Sequence, residues 1–458
     1  MPLFARLRLL PAGQAKKIFV AYPTHSKSII RTEFFKPLFE FFETAKHRRN
    51  CPALDDSLWL EAGVRRWLGI FQSGRDFLQQ LADQHDTQIL ISTFFESLKS
   101  KRRLRLVDEI LGQVRSRMRR VMPDPFACHK SLDDFDIHAG DGHFIAAASH
   151  DKAQPRATSA AKSQSATTRV ATTKYATGHL YTLDLRSHGM NHLTVADQIE
   201  RKKEHEMRAL KRQTADTLRQ GAAKGRKVLY IWDRAGIDFR QWFDWKNQSG
   251  IYFLSREKDN MKLEVIGTHP FDPALPINAG ILADEMVATS QGVSVRRVIY
   301  QDPVTDIIYH YLTNLPATIP PGLVAMLYKA RWDIEKVFDE FKNKLCETKA
   351  WASNATAKTQ QARLLCLTHN LMTLMEEEIR KRRGVINQAE LKRKAKARTT
   401  GDAAKPSSRS TDIGPIEHAV ERLTQRTVKF IRWLKNHLEL ERDWSQAMTR
   451  LTEVYTHL

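Results

Sequence analysis

Apolar positions along this chain change period several times, and the changes divide it into regions. From 28 to about 122 they recur at helical spacing, as in FFKPLFEFFETA (34–45), DDSLWLEAGVRRWLGIF (55–71) and STFFESLKSKRRLRLVDEILGQV (92–114). An all-α region of several helices is expected there, after an irregular start over 1–27. Past Pro123-Asp124-Pro125 the pattern becomes that of strands. One strand begins around Asp141-Gly142-His143-Phe144-Ile145-Ala146, and GHLYTLDLRSH (178–188) and a shorter stretch near 191–195 supply two more. The Ser/Thr/Ala-rich residues 153–173 read as a long hairpin connection. Residues 196–222 predict one long charged helix. KVLYIWD (227–233) is a continuous apolar run, hence a buried central strand that ends in Asp233. A helix at about 237–247 and the strand GIYFLSR (250–256) follow. The sum is a mixed α/β sheet.

Residues 257–317 break this rhythm. THPFDPALPINAG is loop-like, and VRRVIYQDPVTDIIYHYLTNL (295–315) reads as a hairpin with Asp-Pro at its turn, so a β-rich insertion is expected. Next comes LYKARWDIEKVFDEFKNKL (327–345), free of Pro and Gly and preceded by Pro320-Pro321-Gly322. It predicts a single helix. At about 100° per residue, Ile334, Val337, Phe338, Phe341 and Leu345 make one apolar stripe. Tyr328, Arg331, Glu335 and Lys342 fall within roughly 40–60° of one another, about a quarter turn from it. Another helix is expected over 357–382, a polar Lys/Ala/Thr/Ser linker over 385–413, and helices to the end whose apolar stripes either dock back or join two protomers.

Charge adds a partner. The formal net charge is +21 and the sequence pI about 9.8. A polyanion, most simply nucleic acid, is the expected ligand, although a ribosomal or membrane-surface role also fits charge alone. The runs at 99–103 and 115–120 make the helical N-terminal region basic, either as a solvated face or as a DNA contact. Four scattered cysteines without a CxxC pair indicate neither a zinc site nor a disulfide scaffold, and a reducing cytosol fits. The N-terminal apolar run carries charges and lacks a cleavage site, so no signal peptide is expected. No uncharged stretch reaches the ~18–20 residues of a membrane helix.

Three acids carry the candidate chemistry: Asp141 opening the first strand, Asp233 at the end of the buried one, and Glu335 on the 327–345 helix. Singly, each has an ordinary explanation: a turn residue before Gly142, a strand-end pair with Arg234, and an i, i+4 pair with Arg331 on a solvated face. Brought together they would repel, which a divalent cation relieves. Their oxygens suit Mg²⁺ or Mn²⁺, and two such ions can serve an in-line phosphoryl displacement.

The spacing Tyr328-x2-Arg331-x3-Glu335-x6-Lys342 resembles the Y-R-E-K signature of DDE transposases of bacterial insertion sequences, specifically the IS-four family, whose members include the transposon-five transposase. The surroundings of Asp141-Gly142 and Trp232-Asp233-Arg234 and the LTNLP segment (312–316) also resemble that family, and the likeness spans roughly 90–375. The resemblance implies an α/β ribonuclease-H-like catalytic core with a β-rich insertion, flanked by an all-α N-terminal region and a helical C-terminal region. The divisions expected are 1–125 (helical, DNA-binding), 126–256 (first part of the core), 257–317 (insertion), 318–384 (rest of the core), 385–413 (linker) and 414–458 (C-terminal helices, dimerisation). Asp141, Asp233 and Glu335 would hold two Mg²⁺ or Mn²⁺ ions. Arg331 and Lys342 would contact transposon-end phosphates, Tyr328 would support the same strand, and Trp332 would manage a base flipped from the duplex. The implied activity is cut-and-paste transposition: binding of terminal inverted repeats, metal-dependent cleavage, and strand transfer into target DNA by a homodimeric synaptic complex in the bacterial cytoplasm. A catalytically inert DNA-binding derivative and a nuclease without strand transfer are the alternatives. Two positions depart from the family. No Trp lies between Trp245 and Trp332, leaving Tyr300, Tyr309 or Tyr311 to stack a flipped base. His143 stands where small hydroxyl residues are common, and it either touches the metal site or, the preferred reading, packs.

Overall fold

A computed structural model describes residues 29–49, 54–69, 74–85, 90–155, 172–197, 204–303, 305–345, 347–384, 423–440 and 443–456. The linker expected over 385–413 and the start over 1–27 lie outside the described residues. The centre is a nine-stranded sheet in the order β5-β4-β1-β6-β7-β11-β10-β9-β8. Its strands are β1 (Phe135–Ile145), β4 (Thr177–Asp184), β5 (Met190–Ala196), β6 (Lys227–Ile231), β7 (Ile251–Arg256), β8 (Leu263–Thr268), β9 (Ile281–Thr289), β10 (Ser294–Gln301) and β11 (Ile308–Thr313). The short β2 (Gln154–Pro155) and β3 (Thr172–Thr173) pair apart from it, at the base of the expected hairpin connection. β1, β6 and β7 run parallel side by side, and the other pairings are antiparallel. The central strands are buried on both faces, which is why their sequences read as continuous apolar runs.

One face carries Val228, Tyr230, Trp232 and Phe253, covered by α6 (Glu206–Lys211), α7 (Ala215–Arg219) and α8 (Phe239–Ser249). The opposite face carries Ile137, Ala139, Leu229 and Ile231. It packs into one large core with α1 (Ile29–Thr44), α2 (Asp56–Leu68), α5 (Lys101–Val121), α9 (Pro321–Ala330), α10 (Asp333–Asn343) and α11 (Ala355–Arg383). α3 (Gly74–His85) and α4 (Ile91–Ser97) complete the helical N-terminal region. That region shares the apolar core of α11 instead of standing apart: Trp67 stacks on Trp351 at 4.6 Å. The C-terminal helices α12 (Val428–Glu439) and α13 (Trp444–Thr456) dock back, burying Phe430, Leu434 and Leu451 against the same core. Among the described residues no helix is long and apolar enough to cross a membrane.

Four expectations change. Among the described residues of 196–222 the expected single helix is replaced by two short ones, α6 and α7, because Thr214 caps a fresh start by accepting from Thr217 N. The 92–114 run divides at Ser100, which caps α5 through Arg103 N. The strand expected to begin around Asp141 begins at Phe135, which puts Asp141 in mid-strand, while the β-rich 257–317 stretch joins the central sheet, Tyr311 of β11 pairing with Arg256 of β7. Finally, 327–345 is not one continuous helix. At Arg331, Trp332 and Ile334 the amides bond back three residues, to Tyr328, Lys329 and Arg331, and α10 starts anew at Asp333. No Gly or Pro announces this break. It lies where Arg331 turns inward to a buried acid.

Candidate active site

Strand parity builds the site. Residues 137, 139 and 141 of β1 share a face, as do 229, 231 and 233 of β6 and its extension. Ala139 pairs with Ile231 in parallel register. Asp141 follows two residues on in β1 and Asp233 two residues past the end of β6, near enough that the charge of Asp233 acts on Asp141. Asp233 leaves the strand end as the cap of a tight turn: its Oδ1 accepts from Ala235 N at 2.8 Å, and its carbonyl accepts from Ser255 Oγ at 2.7 Å. The opposite side of β1 is filled at two glycines. A Cβ on Gly140 would lie 2.6 Å from the Trp232 indole, and one on Gly142 would lie 2.3 Å from Glu206 Oε1.

The third acid arrives from the helix. Asp141 Oδ1 accepts from Gly142 N at 2.8 Å, and its Oδ2 accepts from Arg331 Nη1 at 2.9 Å. The same Nη1 stands 3.7 Å from Glu335 Oε1. Arg331 is 5% exposed, and Tyr328 beneath it is buried against Tyr311 at 4.8 Å. Burial pushes the Asp141 carboxyl up to about 8; Arg331 opposes this, and the charges of Glu335 and Asp233 add to it. Burial also lifts the Tyr328 phenol, with Asp233 contributing and Arg331 opposing. Arg331 itself is disfavoured as a cation by burial, but Asp141, Tyr328, Glu335 and Asp233 outweigh that and raise it. All three acids thus lie in one electrostatic field centred on Arg331. Lys342 and Trp332 are exposed, Trp332 to 50%.

The expected metal cluster is not closed in this arrangement. Among the described residues no three His, Cys, Asp or Glu side chains converge on one point as a metal would require, and Arg331 holds the space between Asp141 and Glu335. The donor set nevertheless fits a hard divalent cation: hard oxygen donors of like charge, one carried far above its ordinary range by burial and its neighbours. Arg331, expected to grip DNA phosphate, is engaged with Asp141 instead.

His143 packs. Its ring stacks on Phe338 at 5.0 Å, and its Nε2 stands 3.2 Å from Glu347 Oε2, a buried carboxylate that also accepts from the Tyr181 hydroxyl at 3.3 Å. Glu347, Ser255 and Glu206 carried no periodic or motif signal that would have singled them out. Of the three tyrosines, Tyr300 and Tyr311 are core, while Tyr309 is half-buried beneath Arg256.

Residues 136–371, from β1 into α11, match the family model described as "Transposase DDE domain". The match takes in more than half of the 458 residues, and the chain belongs to that family. No curated protein matches the chain at a significant level. The chain is thus a transposase of the DDE class, with a ribonuclease-H-like fold and DNA as its partner.

Proposed function

We propose that the chain is a cut-and-paste transposase of the Y-R-E-K kind, as in the IS-four family. It binds the terminal inverted repeats of an insertion sequence, cleaves at their ends and joins the freed 3′-hydroxyl to target DNA, working as a homodimer in a synaptic complex. The observation that carries this reading is the juxtaposition of Asp141 on β1 with Asp233 just past the end of the neighbouring β6, and of Glu335 with both through Arg331. Asp141, Asp233 and Glu335 would hold Mg²⁺ or Mn²⁺, most simply as two ions. When bound, these would activate the attacking oxygen and stabilise the leaving one. Arg331 keeps three crowded carboxylates compatible before DNA arrives and is placed to meet phosphate once a cation takes over that neutralisation. Exposed Lys342 offers a second phosphate contact two turns along the same helix face as Glu335, and Tyr328 supports Arg331 from below. Trp332 offers an aromatic face to a base at the transposon end. The helical N-terminal region contributes to end binding.

The test uses full-length protein and the DNA ends flanking its own reading frame. Mg²⁺-dependent cleavage by the parent and its loss in Asp233→Ala are expected, and pre-cleaved ends should be joined to target DNA. Cleavage that survives Asp233→Ala would sink the site assignment. Cleavage without joined product would reduce the protein to a nuclease.

A further inference from the structure

Residues 423–427 run without helical structure along the flank of α10, and three of them touch it at Asp333, Lys336, Asp339 and Glu340. Leu423 N donates to Asp333 Oδ2 at 3.2 Å, and Leu423 O accepts from Lys336 Nζ at 2.7 Å. Gln425 Nε2 donates to Asp339 Oδ2. Arg426 Nη1 donates to Glu340 Oε2 at 2.8 Å. Arg426 is 2% exposed, and it also donates from Nε to Glu376 Oε2 at 2.5 Å and from Nη2 to Thr373 Oγ1 at 2.6 Å, both on α11. Glu340 is fixed from its other side by His369 Nδ1 at 2.9 Å from Oε1. The guanidinium thus rivets the chain, α10 and α11 together.

The placement of these contacts on the helix matters more than their number. At about 100° per residue, three of the four contacted residues, Asp333, Lys336 and Glu340, lie within about 60° of one another, while Asp339 lies about 60° beyond Lys336, toward Glu335. Glu335 and Lys342 lie roughly 130–150° away, and the apolar stripe that faces the sheet lies between the two sets. A helix seated on a sheet by an apolar stripe is well held against lifting but poorly held against rolling about its axis. α10 is short, 11 residues, and the break at Arg331–Trp332 separates it from the largely buried α9, so α9 does little to oppose that roll. Polar contacts on one flank oppose it directly. A carboxylate about 6 Å from the axis moves ~1 Å for a roll of about 10°, and a displacement of ~1 Å in a catalytic group can cost about 100-fold in rate.

We propose that the 423–427 segment is a strap that sets the roll of α10, with Arg426 as a positioning residue for Glu335 acting through Glu340. The proposal rests on Glu335 being one of the three site acids. It assigns the C-terminal region a role at the site, separate from dimerisation.

The strap is tested in the full-length chain by Arg426→Met combined with Glu340→Gln and Glu376→Gln, which removes the buried charges together so that none is left uncompensated. Mn²⁺ alone is titrated by calorimetry, and end cleavage and end binding are measured alongside. The expected result is a melting temperature within about 3 °C of the parent, unchanged DNA-end binding, a Mn²⁺ dissociation constant raised about 10-fold and end cleavage slowed about 100-fold. Parental Mn²⁺ affinity and cleavage rate would overturn the strap. Should the triple variant fold poorly, Lys336→Ala decides, since it loosens the strap at one partly exposed contact: a slowing of about 5-fold with weakened Mn²⁺ binding is expected, and no change in either overturns the proposal. Asp233→Ala separates the two readings. If it still binds Mn²⁺ and cleaves like the parent, the acid assignment fails. If it is silent while the strap variants behave like the parent, the strap alone fails.

Discussion

Asp141 is costly to the fold because its carboxylate is buried among like charges. The group titrates near 8 in the folded chain against an ordinary value of 3.8. A raised carboxyl contributes its full stability below about pH 4 and loses it progressively as pH rises toward 8. Asp141→Asn removes that loss. In metal-free buffer it should therefore melt above the parent at pH 8.5, by about 1 kcal/mol or more, with the difference closing toward pH 4. It should also abolish cleavage. A thermal scan across pH checks the sign: a variant less stable than the parent at high pH would contradict the crowding argument. Trp332 and Lys342 stand at the other extreme. Both are exposed, so Trp332→Ala and Lys342→Ala should change stability by no more than about 0.5 kcal/mol. Lys342→Ala should weaken DNA binding and reduce the slope of log affinity against log salt by about one, the signature of one lost phosphate contact.

At the scale of elements, the two glycines that flank Asp141 let β1 be covered closely on its far side. Gly140→Val would drive a side chain into the Trp232 indole, whose ring sits 2.6 Å from the position a Cβ would take. A cost of about 1–3 kcal/mol is expected from overpacking, read as a lowered melting temperature, and Trp232→Leu in the same chain should recover part of it. Equal melting temperatures for the parent and Gly140→Val would show that β1 is free to move there. Much of this scale was legible in the residues. KVLYIWD reads as a buried strand because both of its faces are covered, and β6 is one. The helix over 327–345 was legible in its apolar stripe but not in its break. The residues at 331 and 332 are ordinary helix formers, and the winding tightens there because Arg331 reaches 190 residues back to Asp141. The joining of β11 to β7 was equally silent, since a strand's sequence shows which face is apolar but not which edge it will meet.

For the molecule as a whole, the excess of positive charge is carried by a body whose N-terminal helices, central sheet and C-terminal helices share one apolar core. Binding to DNA ends should therefore weaken steeply with salt, by about 0.9 log units per log unit of salt for each phosphate contacted, measured as a Kd series between 50 and 200 mM. A flat dependence would mean that the charge lies away from the DNA. The shared core also means that the C-terminal helices cannot be cut away without exposing the apolar surface of α1 that they cover.

By itself, the sequence determined most local features of this protein: which stretches are helical or extended, and that Asp233 closes a buried strand. It also held the four-residue spacing on one helix. Those follow from periodicity and from residue type, which act over a few positions. Tertiary structure alone decided that β1, which carries Asp141, lies beside β6, whose end carries Asp233, that Arg331 fills the space between Asp141 and Glu335, and that Arg426 holds the far flank of the same helix. Each of these joins residues tens to hundreds of positions apart, and such contacts are chosen by register and burial across the whole core, which no local pattern records.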